Sequence, residues 1–223
     1  MQFTYHKDAS LKFLIVDNET YKYLFKARRH KIGDEIYFRN LIDNNIYLYK
    51  VIDINRKEAS LQLISFEEKI VENRKKLHLA WCVIDPKTIE KNISSLNELG
   101  LDRITFIYCE YSQKNFKINL DKLEKILINS SSQCGRSSII KLDICKSLDE
   151  FLCENKGVYI LDFSNENIED KKDDINILLL GCEGGFSKIE RESFNKDKIV
   201  GFKSSLILRS ETAAISAVSK III

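Results

Sequence analysis

The sequence predicts an α/β protein in two parts: a small barrel or tightly curled β-sheet near the N-terminus, then a domain around a mostly parallel sheet. Three observations carry that expectation. Short runs rich in β-branched and aromatic residues follow one another over residues 1–64, separated by turn-prone segments. A stretch at 66–76, FEEKIVENRKK, has seven of eleven residues charged and marks a solvated connector or a boundary. Beyond it, apolar runs alternate with helical stretches.

The β-rich runs are FLIV at 13–16, EIYF at 35–38, IYLYKVI at 46–52 and ASLQLI at 59–64, with one helix expected at 19–29. The D-N, N-N and N-R-K-E segments between them favour closure into a barrel. In the second part, strands are predicted at 77–84, 104–109, 158–161 and 175–180. Helices are predicted at 88–99, 120–131, 188–194 and 210–220. The expected domains are therefore 1–70 and 77–223, and ligands of the second should bind at the carboxyl ends of its strands.

With 44% hydrophobic residues and one proline in 223 positions, the chain can bury a substantial core and is not disordered. Residues 1–76 hold 15 of the 35 Lys and Arg and 11 of the 33 Asp and Glu, a balance of +4; the remaining 20 and 22 give −2. A basic first part on a near-neutral body is compatible with a polyanion partner. Six cysteines occur without a C-x-x-C pair, and His6, His30 and His78 do not cluster with them. The reading is reduced, mostly core-filling thiols in a cytoplasmic protein, with no metal site. Neither a signal-peptide core nor an apolar run of membrane-spanning length is found, which predicts a soluble, cytosolic protein.

The segment at 177–190, ILLLGCEGGFSKIE, holds three of the eight glycines. Gly181, Gly184 and Gly185 could expose main-chain amides to a ligand, or could simply make a tight strand-to-helix turn. A phosphate loop is disfavoured because no Lys-Ser or Lys-Thr follows, and the dinucleotide G-x-G-x-x-G spacing is absent. At 206–214, LILRSETAA, an apolar run reads as a buried strand ending in Arg209. Ser210 or Thr212 is positioned to cap the following helix, with Glu211 in its first turn. Arg209 then either pairs with Glu183 or Glu211 or faces a substrate.

These two segments, GCEGGFSxxE at 181–190 and ILRSETA at 207–213, resemble the signature of the RsmE family, the 16S ribosomal RNA uridine N3-methyltransferases of the SPOUT superfamily. NELGL at 97–101, SSQCGR at 131–136 and RRHKIGD at 28–34 resemble three further stretches of that family, in family order along almost the whole chain. The resemblance implies a PUA-like, RNA-binding β-barrel at 1–70. At 77–223 it implies a SPOUT α/β domain with a deep C-terminal trefoil knot, and a homodimer with active sites near the subunit interface. S-adenosylmethionine would lie bent in the knot, against Leu161, the loop of Leu180, Gly181, Glu183, Gly184 and Gly185, and the segment Ser204, Leu206, Ile207, Leu208 and Arg209, with Thr212 beyond it. The chain departs from the family pattern at Cys182 (usually proline), Ser204 (glycine), Ser132 (glutamate) and Ser95 (lysine).

For a uridine N3 methylation, Arg209 is the candidate for stabilising the uracil imidate, and Glu183 or Glu211 the candidate base or the group that orients Arg209. A structural ion pair is the alternative for each carboxylate. Lys22, Lys26, Arg28, Arg29 and Lys31, interleaved with Tyr21, Tyr23 and Phe25, suit RNA phosphates and bases, or form a solvated helix face. Arg136 is a further candidate RNA contact, or a salt-bridge partner of a neighbouring helix. The expected partner is 16S ribosomal RNA or the small ribosomal subunit. The competing readings are an RNA-binding assembly protein of the same fold without catalysis, and a SPOUT enzyme acting on another RNA such as transfer RNA.

Overall fold

A computed structural model describes residues 2–223. Contacts divide the chain into two units, residues up to Glu72 with Ile128–Ile139, and Asn73–Leu127 with Ile140–Ile223. The segment 128–139 thus groups with the first unit although it lies far along the chain.

In the first unit β1 (Thr4–Tyr5), β2 (Phe13–Asp17), β3 (Glu35–Arg39), β4 (Asn45–Ile54) and β5 (Glu58–Glu68) form one sheet in the order β1-β3-β4-β5-β2. The long β4–β5 pair shifts register between Leu48 and Tyr49 and again between Val51 and Asp53. Bulges of this kind bend and twist a strand. The sheet thereby curls around Leu14, Val16, Phe38, Tyr49, Val51 and Leu61. Strand β5 runs on through Phe66, Glu67 and Glu68, which pair with Tyr47, Ile46 and Asn45, so the charged connector starts later than its composition suggests. Main-chain pairing along an exposed edge of the ladder tolerates charged side chains. The expected helix at 19–29 is α1 (Asn18–Tyr21) continued as π-helical turns over Lys22–Ala27; it buries Tyr21, Leu24 and Phe25. Arg39, 1% exposed, stands over the Phe3 ring and donates to the carbonyls of Asn44 and Lys69 at 3.1 and 2.8 Å.

The second unit carries β6 (His78–Cys82), α2 (Pro86–Glu98), β7 (Arg103–Ile107) and the start of α3 (Leu120–Cys134). Then follow β8 (Lys141–Cys145), α4 (Leu148–Glu154), β9 (Tyr159–Leu161), β10 (Ile177–Leu180), α5 (Lys188–Ser193), β11 (Ile199–Val200) and α6 (Ser210–Ile222). The six strands are parallel throughout, in the order β11-β9-β10-β6-β7-β8. Local chemistry sets the helix starts. The only proline, Pro86, opens α2 where its missing N–H costs nothing, and the Asp85 carboxylate accepts from Thr88 N at 3.1 Å.

Strands β1, β8 and β11 and helix α4 had no counterpart among the predicted elements. The run at 206–208 is not a buried strand: Leu206 and Ile207 are 75% and 80% exposed, in an irregular segment leading to α6. Among the described residues, no helix is long and apolar enough to cross a membrane.

The strand order positions the site. From β6 the chain steps outward through β7 to β8, returns to β9 on the other side, and then inserts β10 between β9 and β6. The carboxyl ends of β9, β10 and β11 therefore open side by side.

Candidate active site

A cleft of about 560 Å³ lies at those three ends, a size usual for small-molecule sites. Its walls are Leu161–Asn165 after β9, Leu180–Phe186 after β10, and Gly201–Leu208 with Ser210 and Ala213 from β11 into α6; Arg191 of α5 completes it. Of the residues expected around a cofactor, Leu161, Leu180, Gly181, Glu183, Gly184, Gly185, Ser204, Leu206, Ile207 and Leu208 line this cleft. Arg209 and Thr212 do not line it; both are exposed at the start of α6.

Two glycines here are there for want of space. A Cβ on Gly181 would meet Gly185 Cα at 3.1 Å, and one on Gly201 would meet Ser164 O at 2.7 Å and Asp162 O at 3.1 Å. At Gly201 the obstacle is main chain, which cannot swing aside. Gly185 has φ +69°, and its N–H donates to Cys182 O at 2.9 Å, folding the loop back on itself.

The loops are tied by hydrogen bonds between distant residues. Ser210 Oγ donates to Gly181 O at 2.7 Å and accepts from Trp81 Nε1 at 2.9 Å, so it does not cap α6; Arg209 occupies the cap position without a side-chain bond. Glu190 closes a capping box with Ser187 and also accepts from Glu110 N at 2.8 Å, fixing α5 against the end of β7. Arg191 makes a forked pair with Asp162, Nε to Oδ2 at 2.7 Å and Nη2 to Oδ1 at 3.1 Å. That carboxylate holds the Arg191 guanidinium above its ordinary pKa.

Asp162, Arg191, Gly201 and Ser210 are cleft positions that the sequence left without a role or gave another one. A lone glycine after a two-residue strand and an aspartate after β9 were the available signals.

Glu183 is exposed at the rim and accepts weakly from Asp85 N at 3.4 Å. Glu211 is half-buried in the first turn of α6. Among the described residues, neither forms an ion pair with Arg209, and Arg209 forms no other.

In the first unit Lys22, Lys26, Arg28, Arg29 and Lys31 are all exposed. Lys22 pairs with Glu19 at 2.7 Å, Lys26 lies over the Tyr21 ring, and Arg28 lies over the exposed Tyr23 ring and bonds its hydroxyl. Arg29 has φ +62° where the helical turns end. Tyr21 and Phe25 face the core. Arg136 is 5% exposed, with Nε to Ser138 Oγ at 3.2 Å.

The cysteines depart from their scattered appearance. Cys134 and Cys153 are exposed, whereas Cys82, Cys109 and Cys182 are buried and brought together at the carboxyl ends of β6, β7 and β10. Adjacent parallel strands juxtapose residues that are far apart in sequence. Among the described residues, no group of side chains is arranged to hold a metal.

Residues 71–222 match a family described as "RNA methyltransferase domain", and residues 16–64 one described as "RNA methyltransferase PUA domain". Ribosomal RNA small subunit methyltransferase E of Helicobacter pylori (strain 26695) is 36% identical over 222 residues, 98% of each chain. Among solved structures, a predicted RNA methyltransferase of Thermotoga maritima is similar at a TM-score of 0.77 and 27% identity, covering 99% of this chain and 97% of that one. Ribosomal RNA small subunit methyltransferase E of Neisseria gonorrhoeae, solved bound to S-adenosyl methionine, is similar in fold at a TM-score of 0.80 and 15% identity, over 98% and 95% of the two chains.

Proposed function

This chain belongs to the ribosomal RNA small subunit methyltransferase E family of RNA methyltransferases, and on that premise we propose that it methylates N3 of a uridine in the decoding region of 16S ribosomal RNA, with S-adenosylmethionine as donor. The observation that carries the reading is the convergence of the β9, β10 and β11 ends on one glycine-walled cleft. The cleft suits that cofactor in kind. It offers main-chain amides and carbonyls, an apolar lining from Leu161, Leu180, Phe186 and Ala213, and the Glu183 carboxylate at the rim, with Asp162 already paired to Arg191, towards a ligand that carries cationic centres and hydroxyls but no phosphate. When bound, the cofactor supplies an electrophilic methyl group.

The remaining chemistry falls to the chain and the RNA. Uracil N3 must give up its proton to become nucleophilic, and a cation beside the carbonyl oxygens favours the imidate. Arg209, at the mouth of α6 without an ion-pair partner among the described residues, is assigned that role. Glu183 or Glu211 takes the proton or orients Arg209. Residues 1–70 act as the RNA-binding domain, with Lys22, Lys26, Arg28, Arg29 and Lys31 on phosphates, whereas Arg136, 5% exposed, is an internal structural residue rather than the RNA contact expected from the sequence; residues 77–223 act as the catalytic domain.

The homodimer is part of the same reading. Phe163, Leu206 and Ile207 stand 76%, 75% and 80% exposed at the cleft, and large apolar side chains this open favour a covering partner. So is the trefoil knot, which the family resemblance implies.

Calorimetry with S-adenosylmethionine and mass mapping of ribosomal RNA test the function together. The expected results are saturable binding, and an N3-methyluridine in 16S RNA that disappears on gene deletion and returns on complementation. Unchanged N3-methyluridine in the deletion strain refutes the target. Light scattering of the purified protein at twice the chain mass tests the dimer.

A further inference from the structure

One ion pair in the cleft wall has no part in the chemistry assigned above. Among the described residues that line the cleft, Arg191 is the single cation, and it reaches there from α5, whose start is fixed by the capping box of Ser187 and Glu190. Asp162, just past the end of β9, lines the same cleft. The two meet as a fork, Arg191 Nε to Asp162 Oδ2 at 2.7 Å and Nη2 to Oδ1 at 3.1 Å. Their side chains are 44% and 12% exposed, so the carboxylate is the enclosed partner and the arginine is open to an incoming ligand. Arg191 Nη2 also lies 3.4 Å from where a Cβ on Gly185 would stand, which lays the guanidinium against the glycine loop.

A pair this open adds little to stability by itself, and its plain use is to pin α5 to the end of β9. Its unspent hydrogen-bonding capacity points further. A guanidinium carries five N–H donors in a fixed plane. Asp162 takes two of them, and the other three meet no acceptor among the described residues. Asp162 accepts one more bond, from Phe163 N to Oδ1 at 2.9 Å, which leaves a lone pair on Oδ2. The pair thus offers a donor edge beside an acceptor site, with its two charges balanced.

That balance decides what the pair selects. A lone anion is drawn by Arg191 and repelled by Asp162 at nearly the same distance, whereas a zwitterion turns its carboxylate to one and its ammonium to the other. S-adenosylmethionine ends in such a group, an α-amino acid with carboxylate and ammonium on one carbon. With the cleft read as the S-adenosylmethionine site, we propose that Arg191 and Asp162 are the recognition head for the amino acid end of the cofactor: the free Nη1 edge of Arg191 donates to the carboxylate, and Asp162 accepts from the ammonium. The adenosine is left to the main chain of the glycine loop and the apolar lining from Leu180, Phe186 and Ala213.

S-adenosylhomocysteine carries the same amino acid end, so the pair holds donor and product alike and acts on affinity rather than on the methyl-transfer step. Charge-assisted bonds of this kind are worth about 10- to 100-fold in affinity. A ligand with the adenosine and the thioether but no amino acid forfeits them. Removing Arg191 therefore costs such a ligand nothing, while a role confined to pinning α5 costs both ligands equally.

The test is calorimetric titration of the full chain with S-adenosylhomocysteine and with 5′-methylthioadenosine, for wild type, Arg191→Gln, Arg191→Lys and Asp162→Asn. Wild type should prefer S-adenosylhomocysteine by at least about tenfold. Arg191→Gln and Asp162→Asn should erase most of that preference while binding 5′-methylthioadenosine within about twofold of wild type, and Arg191→Lys, which keeps the charge but not the fork, should retain part of it. If Arg191→Gln does not fold, wild type titrated with S-adenosylmethionine and with its decarboxylated analogue decides: at least about tenfold favour for the carboxylate supports the assignment, and less than about threefold overturns it. Equal losses for both ligands in the variants, or equal affinities for both in wild type, overturn the recognition head and leave the cofactor reading standing. Wild type that binds neither ligand nor S-adenosylmethionine overturns the cofactor reading and the recognition head together.

Discussion

Replacing Ser210 by alanine probes the tie that holds the site together. The hydroxyl accepts the fully buried Trp81 N–H at 2.9 Å and donates to Gly181 O at 2.7 Å, with Ser210 itself 6% exposed. Alanine keeps the fit and removes both bonds. A buried donor left unpaired costs about 1–3 kcal/mol, and a carbonyl in the same position adds a comparable or smaller amount. The expected loss is therefore about 3 kcal/mol. For a chain of this length that lowers the melting temperature by about 6–12 °C. Urea unfolding of wild type and variant, analysed for midpoint and slope, measures the first quantity and scanning calorimetry the second. Because Gly181 lines the cleft, cofactor affinity should fall as well. A loss below about 0.5 kcal/mol with unchanged slope would show that neither Trp81 nor Gly181 depends on the hydroxyl, and would refute the reasoning.

Three other outcomes are expected. Gly201→Ala, whose Cβ would press on main chain at 2.7 Å, should cost about 1–3 kcal/mol of stability and weaken cofactor binding about tenfold, read by denaturation and calorimetry; unaltered binding would show that the β9 and β11 loops can part freely. Arg209→Ala should lower methyl transfer by about 10²–10³ while leaving cofactor affinity within about twofold, and full activity would remove Arg209 from the chemistry. His78, half-buried beside Arg103 and bonded to Thr105 Oγ1 at 2.8 Å, has its pKa lowered from about 6.5 to about 4, chiefly by burial. Since the unfolded chain then binds more protons, stability is complete above about pH 6.5 and declines as pH falls to about 4, by on the order of 2 kcal/mol after allowance for partial exposure. His78→Gln should flatten that part of the stability–pH curve.

The residues that were legible in the sequence share a physical reason. LLL at 178–180 and LAWC at 79–82 are buried on both faces of a parallel sheet, so they appear as unbroken apolar runs. The crowding that demands glycine at 181 is local enough to show as a motif. By contrast, KLDIC at 141–145 is an edge strand with no buried position, and its mixed polarity gives no such run. Ser210 invites a cap assignment because capping is judged from neighbours, while its partner Trp81 lies 129 positions away. At 206–208 an apolar run was read as interior, yet hydrophobicity alone does not say which surface a residue covers.

The insertion of β10 between β9 and β6 also constrains how the protein is made. A nascent chain that has emerged through α4 holds β6, β7 and β8 as a partial sheet whose β6 edge has unpaired amides and carbonyls. Nothing synthesised up to that point can cap it. The partner, Ile177–Leu180, arrives only after β7, β8 and β9 have been made, and it must enter an interior slot rather than add to a rim. Pairing so distant in sequence forms slowly, and an open edge is a template for unwanted strands. Keeping this edge apart from other chains until β10 arrives is therefore a demand that the strand order itself places on folding.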